Sequence, residues 1–324
     1  HRLPPMSTDQ LTFDATHPRI AVVGSGAVGT YYGARLADHG HDVHFLLRSD
    51  YATVVKQGWS IQSCLGDFVL RPDQINVYDN VMRMPKADLV LVCLKTVSND
   101  QFEPLIGPLL HPGTLILTLQ NGLGNEEQLA GLFGRRRVLG GMAFVCLNRI
   151  GPGRVQHIDQ GWIQIGDFSG GLTPRINAIG ELFNTSGVQC SVLENLMLGR
   201  WDKLVWNVPF NGLGAALDLT TDKLIGTEAG LEMVTGLMRE VVAAAAAQGL
   251  VLRETTIERK LNHTRTMGAY KTSMQIDRHE RRPMELESIL GEPLRAARRA
   301  GIAVPQMEAL YAAVKIVNAA NIGR

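Results

Sequence analysis

The sequence predicts two domains of different class: an N-terminal α/β domain built on a doubly wound parallel sheet, and an all-α C-terminal domain. Three observations lead to this prediction. Residues 19–48 read as strand, glycine turn, helix and strand. Two further apolar runs, Asp88–Lys95 and Thr114–Gln120, have the uninterrupted hydrophobicity of buried parallel strands. After about Asn195 the strand signals nearly vanish and long helical periodicities take over.

The first strand is the β-branched run Ile20–Val23, which is too short for a helix. Three glycines follow it in the spacing G-x-G-x-x-G, namely Gly24, Gly26 and Gly29. A helical stretch, Thr30–His39, and a second apolar run, Val43–Leu47, complete the unit. In such a unit the glycines permit a tight turn, close approach of a pyrophosphate and close packing of the helix on the strand. This context favours a Rossmann-type dinucleotide site over a chance cluster of turn glycines.

The residue after the second strand, Arg48, predicts NADPH rather than NADH. In NAD sites an aspartate or glutamate about 20 residues beyond the glycines holds the ribose hydroxyls. A guanidinium at this position suits the 2′-phosphate of NADPH, and an ordinary solvated arginine is the alternative. The expected cofactor contacts of this segment are Arg48 and the loop residues Gly24, Ser25, Gly26, Ala27, Val28 and Gly29.

Length and composition limit the range of functions. The chain has 324 residues, enough for two sizeable cores, and its net charge of +1 gives no sign of a nucleic-acid or membrane partner. Its 4 cysteines and 9 histidines form no C-x-x-C pair and no metal-binding motif, so we expect a cytoplasmic protein without a metal. Residues 1–18 lack the apolar core of a signal peptide and are expected to be a flexible leader, with Met6 as a candidate start. A homodimer is kept open.

Two polar residues end the inner strands of the first domain. Lys95 closes one apolar run, and Asn121 follows the other. Ligands of open parallel sheets lie beyond the carboxyl ends of the strands, so both residues are candidate cofactor contacts. Ordinary loop residues are the alternative for each. The remaining predicted elements of this domain are strands at 59–62, 68–70, 138–145, 155–158 and 162–166, and a helix near 175–186.

We place the domain boundary near residue 193. Residues 19–193 are then the NADP-binding domain, and residues 194–324 are the helical substrate and catalytic domain. The predicted helices of the second domain are Leu196–Leu217, Thr227–Gln248, Arg253–Thr266 and Pro283–Ala300.

The first of these helices carries Lys203, Asn207 and Asn211 at a spacing of four residues. This spacing places the three side chains on one face, over about 12 Å. Buried ammonium and amide groups are costly without partners, so the row suggests a small oxygenated ligand, with a polar stripe at a domain interface as the alternative. Pro209 lies within the stretch and is expected to kink it. We expect a dry environment to lower the pKa of Lys203 and make it a proton donor.

A third polar cluster lies between residues 271 and 287. Ser273 is expected in a polar linker. Pro283 fits the first turn of a new helix, which would place Glu285 in the same turn. A glutamate there is often only a capping residue, and that alternative stays open.

These residues resemble the ketopantoate reductases (2-dehydropantoate 2-reductases), and the resemblance covers nearly the whole chain from Arg19. The motifs that carry it occur in the family's order: GSGAVG, CLK, QNG and K-x-x-x-N-x-x-x-N. The resemblance implies that Arg48 and Lys95 contact the cofactor and that Asn121 touches nicotinamide and substrate. It further implies a catalytic Lys203, an active-site Glu285, and substrate contacts from Asn207, Asn211 and Ser273.

The resemblance implies NADPH-dependent reduction of ketopantoate to pantoate, in pantothenate and coenzyme A synthesis. The chain departs from the family's pattern at Thr221, where an asparagine is usual nearby, and in the segments TSMQID and MELESILG. Two alternatives therefore stay open. One is reduction of a different 2-oxo acid, and the other is a non-catalytic NADPH-binding sensor.

Overall fold

The computed structural model describes residues 11–322, which divide into two compact units. Of the described residues, unit 1 contains residues 11–94 together with Asp100–Gln120 and Glu126–Glu194. Unit 2 contains residues 195–322 and two short segments, Lys95–Asn99 and Asn121–Asn125. The prediction of a flexible leader lies outside the described residues for positions 1–10, while Leu11 and Phe13 pack against the core of unit 1.

Unit 1 is built around a sheet that has ten strands within the described residues. The strands are β1 Arg19–Val23, β2 Asp42–Leu46, β3 Trp59–Ser63, β4 Phe68–Leu70, β5 Asn76–Tyr78, β6 Leu89–Val92, β7 Leu115–Thr118, β8 Val138–Gly151, β9 Arg154–Asp167 and β10 Cys190–Leu193. Their order across the sheet is β4-β3-β9-β8-β7-β6-β1-β2-β5, and β10 pairs with β9.

The parallel half of this sheet carries the Rossmann-type fold. Strand β1 lies between β2 and β6 and is parallel to both, with Val23 opposite Leu46 and Val92. From β1 the chain continues to β2 on one side of β1, and it later reaches β6 on the other side. Open α/β sheets bind their ligands at the carboxyl ends of the strands where the strand order reverses in this way. The predicted α/β class is confirmed, but the sheet is mixed rather than fully parallel, because β3 pairs antiparallel with β4 and β8 with β9.

Helices flank this sheet and bury its apolar residues. Helix α1, Ala27–Asp38, follows the glycine turn and places Tyr31, Tyr32 and Leu36 in the core. The other helices of this half are α2 Tyr51–Gln57, α3 Phe102–Ile106, α4 Asn125–Phe133 and α5 Pro174–Thr185. The four residues of β6 are fully buried, as expected of a strand covered on both faces.

Unit 2 is helical within the described residues. Its helices are α6 Leu196–Leu217, α7 Thr221–Ile225, α8 Glu228–Ala246, α9 Thr256–Thr266, α10 Ser273–His279, α11 Glu292–Arg299 and α12 Pro305–Ile322. Helix α6 has the predicted bounds and continues through Pro209. It starts at Asn195, whose side chain accepts a hydrogen bond from the N–H of Leu198 at 3.0 Å, and it ends at Asp218 in the left-handed conformation.

Two predictions for this unit are wrong, and one helix was missed. Ser273 is the first residue of α10, because Thr272 caps that helix by accepting from the N–H of Gln275 at 3.4 Å. Glu285 lies before its helix rather than in the first turn of a helix that starts at Pro283. The helical segment there begins with a π-helical stretch, Glu287–Gly291, that leads into α11. π-Helical turns occur frequently at functional sites. Helix α12 was not predicted.

None of the helices in residues 11–322 combines the length and apolarity that a membrane crossing requires.

Candidate active site

The glycine turn after β1 is formed by close backbone contacts within unit 1. Gly24 has φ +94°, and a Cβ there would lie 2.3 Å from the backbone nitrogen of Leu94. A Cβ on Gly29 would lie 2.3 Å from the carbonyl oxygen of Gly24. No other residue fits at either position, so these two glycines have the predicted roles of permitting the turn and close packing of α1.

Two features of the same turn fit a phosphate-bearing ligand. A Cβ built on Gly26 meets no atom within 4 Å, so packing of the protein does not explain why this residue is glycine. The buried hydroxyl of Ser25 has no hydrogen-bond partner among the described residues. Gly26 also starts α1 without a side-chain cap, which leaves the first N–H groups of that helix, including those of Ala27 and Val28, to face a ligand. The loop therefore suits the predicted dinucleotide.

Arg48 is exposed and follows β2 by two residues. Because β1 and β2 are parallel and in register, Arg48 lies at the same edge of the sheet as Gly24. No ion pair links Arg48 to another residue in the described part of the chain, so its guanidinium is available to an anion at this edge. This position suits the predicted contact with a 2′-phosphate.

In unit 2, Lys203 and Asn121 lie in direct contact. The Nζ of Lys203 donates to the Oδ1 of Asn121 at 2.9 Å. Since an ammonium can only donate, this contact fixes the orientation of the amide and turns the NH₂ group of Asn121 away from the lysine. Asn125 holds the loop in place by donating from Nδ2 to the carbonyl of Asn121 at 3.0 Å. Two residues predicted from separate motifs therefore form one polar pair.

The environment of Lys203 changes its acidity. Burial lowers its pKa to about 7, and the positive charges of Arg200 and Lys260 act in the same direction. The carboxylate of Glu285 opposes this shift. The expected lowering of the pKa of Lys203 is thus confirmed, and the ammonium can release its proton near neutral pH.

The two asparagines that follow Lys203 on α6 are nearly buried, at 5% exposure for Asn207 and 3% for Asn211. The Oδ1 of Asn211 accepts from the hydroxyl of Ser273 at 3.2 Å and from the N–H of Met274 at 3.4 Å. Its NH₂ group is therefore left to donate to a ligand. Asn207 lies one helical turn before Asn211, so its amide is on the same face of α6.

Glu285 holds the short segment that contains Lys95. Its Oε1 accepts from the backbone N–H of Thr96 at 2.9 Å. The whole residue Glu285 is 7% exposed. The hydroxyl of Ser288 contacts that of Thr96 at 2.9 Å. The carbonyl of Ser288 accepts from the N–H of Leu123 at 2.9 Å, so the π-helical stretch binds both segments 95–99 and 121–125. Sequence reasoning missed Ser288, which lies in the π-helical stretch, and Thr96, which begins a 3-10 helix, because neither belongs to a recognisable motif.

Lys95 contacts a carboxylate that sequence reasoning also missed. Its Nζ contacts both carboxylate oxygens of Asp277 on α10, and Asp277 is 1% exposed. Arg282 approaches the same carboxylate at 2.9 Å. Asp277 lies four residues after Ser273, a spacing that places both on one side of α10.

Thr221 has a structural role. It is fully buried, and its hydroxyl donates to the carbonyl of Gly268 at 3.0 Å. Its backbone N–H donates to the carbonyl of Tyr270 at 3.0 Å. Thr221 therefore fastens the segment before Ser273 and does not present its hydroxyl to a substrate. Among residues 11–322, no group of three histidine, cysteine, aspartate or glutamate side chains is placed to hold a metal.

Two family models match the chain. The model described as ketopantoate reductase PanE/ApbA matches residues 20–170, and the model of its C-terminal part matches residues 195–318. A 2-dehydropantoate 2-reductase from Nostoc sp. is 41% identical over 308 residues, covering 94% of this chain and 96% of the relative.

Solved structures show the same likeness. A 2-dehydropantoate 2-reductase from Geobacter metallireducens superposes with a TM-score of 0.90 at 46% identity, covering 92% of this chain and 99% of that one. The same enzyme from Methylococcus capsulatus has a TM-score of 0.86 at 36% identity, covering 94% and 97%.

Proposed function

Because this chain belongs to the ketopantoate reductase family, we propose that it reduces 2-dehydropantoate (ketopantoate) to pantoate with NADPH. The product would enter pantothenate and coenzyme A synthesis. Residues 19–193 would bind the cofactor, and residues 194–324 would bind the substrate and supply the catalytic groups.

One observation carries the proposal: the Lys203 ammonium has a pKa lowered to about 7 and donates to the amide of Asn121 at 2.9 Å. A general acid is most effective when its pKa lies near the working pH. Protonation of the alkoxide oxygen requires an oriented ammonium that gives up its proton near neutral pH. Burial alone, in a protein without such chemistry, would select against an ammonium at this position.

When bound beside the glycine loop, NADPH would supply the hydride that adds to the carbonyl carbon of the 2-oxo acid. The carbonyl oxygen then becomes an alkoxide that needs a proton. Lys203 is the proposed donor, and Asn121 positions its ammonium. Glu285 raises the pKa of Lys203 against the effect of burial, which keeps part of the lysine protonated at neutral pH. Solvent returns the proton to Lys203 after turnover.

Amide and hydroxyl groups would hold the oxygen atoms of the substrate. Asn211 has its NH₂ group free of its contact with Ser273, and Asn207 offers a buried amide. We assign these two asparagines and Ser273 to the carboxylate and hydroxyl oxygens of the substrate. The N–H groups of the asparagines would stabilise anionic oxygen, and the oxygen of Ser273, whose O–H donates to Asn211, would accept from the substrate hydroxyl. Fixing the substrate in this way sets the geometry for attack.

The cofactor contacts proposed for this chain are the loop Gly24–Gly29, Arg48, Lys95 and Asn121. The unpartnered hydroxyl of Ser25 and the open space at Gly26 support the loop assignment. We further propose a cytoplasmic location, where pantoate would be used, and a small-molecule partner only. A homodimer stays a prediction, which sedimentation analysis of the purified chain would test.

The test of the proposed function is NADPH oxidation with ketopantoate, 2-oxoisovalerate and pyruvate in parallel. We expect the highest kcat/KM with ketopantoate and a large loss of kcat in Lys203→Ala. A higher kcat/KM with another 2-oxo acid would contradict the substrate but not the reaction. Binding of NADPH without turnover of any 2-oxo acid would contradict both and indicate a sensor.

A further inference from the structure

A buried carboxylate of unit 1 follows Arg48 by two residues. Asp50 precedes helix α2 and is 4% exposed. Its oxygens accept from the hydroxyl of Ser49 at 3.0 Å and from the backbone N–H of Gly153 at 3.1 Å. They also accept from Arg149, whose Nε lies 3.0 Å away and whose Nη2 contacts the second oxygen. Asp50 therefore joins the turn after β2 to the hairpin of β8 and β9, although Arg149 is 99 positions away in the sequence.

Backbone contacts also hold the tip of this hairpin against α2. The carbonyl of Gly153 accepts from the N–H of Ser60 at 2.9 Å. A Cβ on Gly153 would lie 3.1 Å from the carbonyl oxygen of Gly58, the residue that ends α2. Gly153 has φ +66°, a conformation that glycine adopts without strain. Packing therefore places Arg149 beside the turn after β2, independently of its ion pair.

The ion pair with Asp50 leaves one side of the Arg149 guanidinium open. Its Nε and Nη2 face the carboxylate, and Nη2 also donates to the Oγ of Ser49 at 3.4 Å. No residue in the described part of the chain accepts a hydrogen bond from Nη1, and the side chain is 42% exposed. A guanidinium held in this way has already lost rotamer freedom, so binding an anion costs it little further entropy.

Two arginines thus lie beside the turn that follows β2. Arg149 contacts Ser49, which directly follows Arg48, and consecutive Cα atoms are about 3.8 Å apart. Asp50 neutralises only one of the two positive charges, so these three side chains together carry a net charge of +1. Forks of N–H donors match the geometry of phosphate oxygens, which makes arginine the usual residue for binding a phosphate group at fixed geometry.

We propose that Arg149 is a specificity-determining residue for the cofactor, which adds a second guanidinium to the contact of Arg48 with the 2′-phosphate of NADPH. The inference deepens the proposed function and rests on its choice of cofactor. It brings in the β8–β9 hairpin, a segment that carries no nucleotide motif. The preference for NADPH would then depend on two arginines from distant parts of the sequence, and not on Arg48 alone.

The test measures the dissociation constants of NADPH and NADH by titration calorimetry, on the full chain and without substrate. In Arg149→Met we expect the dissociation constant of NADPH to rise by roughly 10-fold or more, the effect of one lost hydrogen bond to a charged group. The dissociation constant of NADH should stay unchanged, because NADH lacks the 2′-phosphate. A role of Arg149 in holding the hairpin alone would weaken both cofactors equally.

Arg154→Met is the matched control. Arg154 begins β9 on the other strand of the same hairpin and is exposed. Among the residues that the structure describes, it forms no hydrogen bond or ion pair with Ser49 or Asp50. Both dissociation constants should equal those of the wild type. Equal weakening of NADPH binding in Arg149→Met and Arg154→Met would show that any positive charge on the hairpin suffices, and it would overturn the role of Arg149.

A second variant keeps the test valid if Arg149→Met does not fold. Removing Arg149 leaves the buried carboxylate of Asp50 without its cation, which is destabilising. The double variant Asp50→Asn/Arg149→Met removes that charge as well, and it should show the same selective loss of NADPH binding.

The outcomes separate this inference from the proposed function. Unchanged NADPH binding in both variants, or equal loss of NADPH and NADH binding, would overturn the role of Arg149 alone. A wild type that binds NADH as tightly as NADPH would remove the proposed cofactor and this inference with it. A preference for NADPH that is lost in Arg149→Met supports the inference whether or not the wild type reduces ketopantoate.

Discussion

Lys203 is the residue to which the proposed reaction assigns the proton transfer. Burial would normally exclude an ammonium, yet here the group is kept, oriented by Asn121 and influenced by Glu285. The cost of holding this charge away from water is what brings its pKa to about 7. The two predictions at this scale concern the proton and the cofactor.

Replacing Lys203 by alanine should lower kcat by roughly 10²- to 10⁴-fold, the usual contribution of a general acid. NADPH should still bind, because the residue is not part of the glycine loop. In the wild type, kcat should fall as the pH rises above about 7, since deprotonation of Lys203 removes the donor. Steady-state kinetics across pH check both points. A Lys203→Ala enzyme with near-normal kcat would remove this residue from the mechanism.

Replacing Arg48 by alanine should raise the dissociation constant of NADPH by roughly 10- to 100-fold, the value of a lost charge-assisted hydrogen bond. NADH lacks the 2′-phosphate and should be affected little. Binding of both cofactors by fluorescence titration gives the comparison, and Arg154→Ala, another exposed arginine of unit 1, is the control. Equal weakening of both cofactors would show that Arg48 does not select the phosphate.

At the scale of elements, turns and short loops place the functional groups. The glycine loop leads into α1, and the π-helical stretch after Glu285 fixes segments 95–99 and 121–125 through Ser288. A glycine is present both in the glycine loop, at Gly26, and in segment 121–125, at Gly122, but the structural reason differs. Gly26 has open space around its Cα, whereas Gly122 has none.

Gly26→Ala should leave the stability of the protein nearly unchanged, because its Cβ would meet nothing within 4 Å and its φ is −75°. The same methyl group would occupy the space that a pyrophosphate needs, so the NADPH dissociation constant should rise by roughly 10-fold or more, on the order of one lost hydrogen bond to a charged group. Thermal melting and NADPH titration separate the two effects. Gly131→Ala, which also meets nothing within 4 Å, should leave NADPH binding unchanged and raise the melting temperature slightly, because alanine is favoured over glycine within helix α4.

Gly122→Ala should be far more damaging than Gly134→Ala. Both glycines have positive φ, +82° and +91°, so alanine suffers the same backbone strain at each. At Gly122 the new Cβ would also lie 2.1 Å from the carbonyl oxygen of Ser288, while at Gly134 it meets nothing within 4 Å. We expect Gly122→Ala to displace Asn121 and reduce kcat/KM at least tenfold, roughly the effect of a misplaced catalytic group. Equal activity of the two variants would show that the loop adapts.

At the scale of the whole molecule, each unit has a hydrophobic core of its own. The core of unit 1 is centred on its sheet, with Ile20, Phe45 and Leu117 among its buried residues. The core of unit 2 surrounds α6, where Trp201, Val205 and Phe210 are buried. The polar row of α6 therefore runs along a helix that is mostly buried in this core. Desolvation of the Lys203 ammonium at this place carries a cost in the stability of the protein.

That cost should appear as a pH dependence of unfolding. The pKa of Lys203 is about 7 in the folded protein and near its ordinary value of 10.5 in the unfolded chain. Between these values the unfolded chain binds the extra proton, so the free energy of unfolding rises with pH by at most about 1.4 kcal/mol per pH unit from this group. Below pH 7 its contribution is constant and unfavourable.

Lys203→Met removes this contribution. The difference in unfolding free energy between wild type and Lys203→Met, measured by urea titration, should therefore shift in favour of the wild type as the pH rises from about 7 to 10. Lys223→Met, which removes an exposed lysine, should show no such trend. A difference that stays constant over this range would contradict the lowered pKa.

The sequence alone determined the features that depend on neighbours along the chain. Local periodicity and turn chemistry predict the glycine turn, the buried strands β1, β6 and β7, and the bounds of α6. They also predict that Lys203, Asn207 and Asn211 share one face of that helix. Local signals were weaker at Ser273 and Pro283, where a seven-residue helix and a π-helical stretch replaced the expected linker and helix start.

Only the tertiary structure decided which distant residues meet. Lys203 and Asn121 are 82 positions apart, Lys95 and Asp277 are 182 apart, and Glu285 and Thr96 are 189 apart. No periodicity encodes such pairs, because they form only when separate elements pack together and exclude water. The lowered pKa of Lys203 and the link from Lys95 to α10 arise from that packing, for the physical reason that burial and charge act through space and not along the chain.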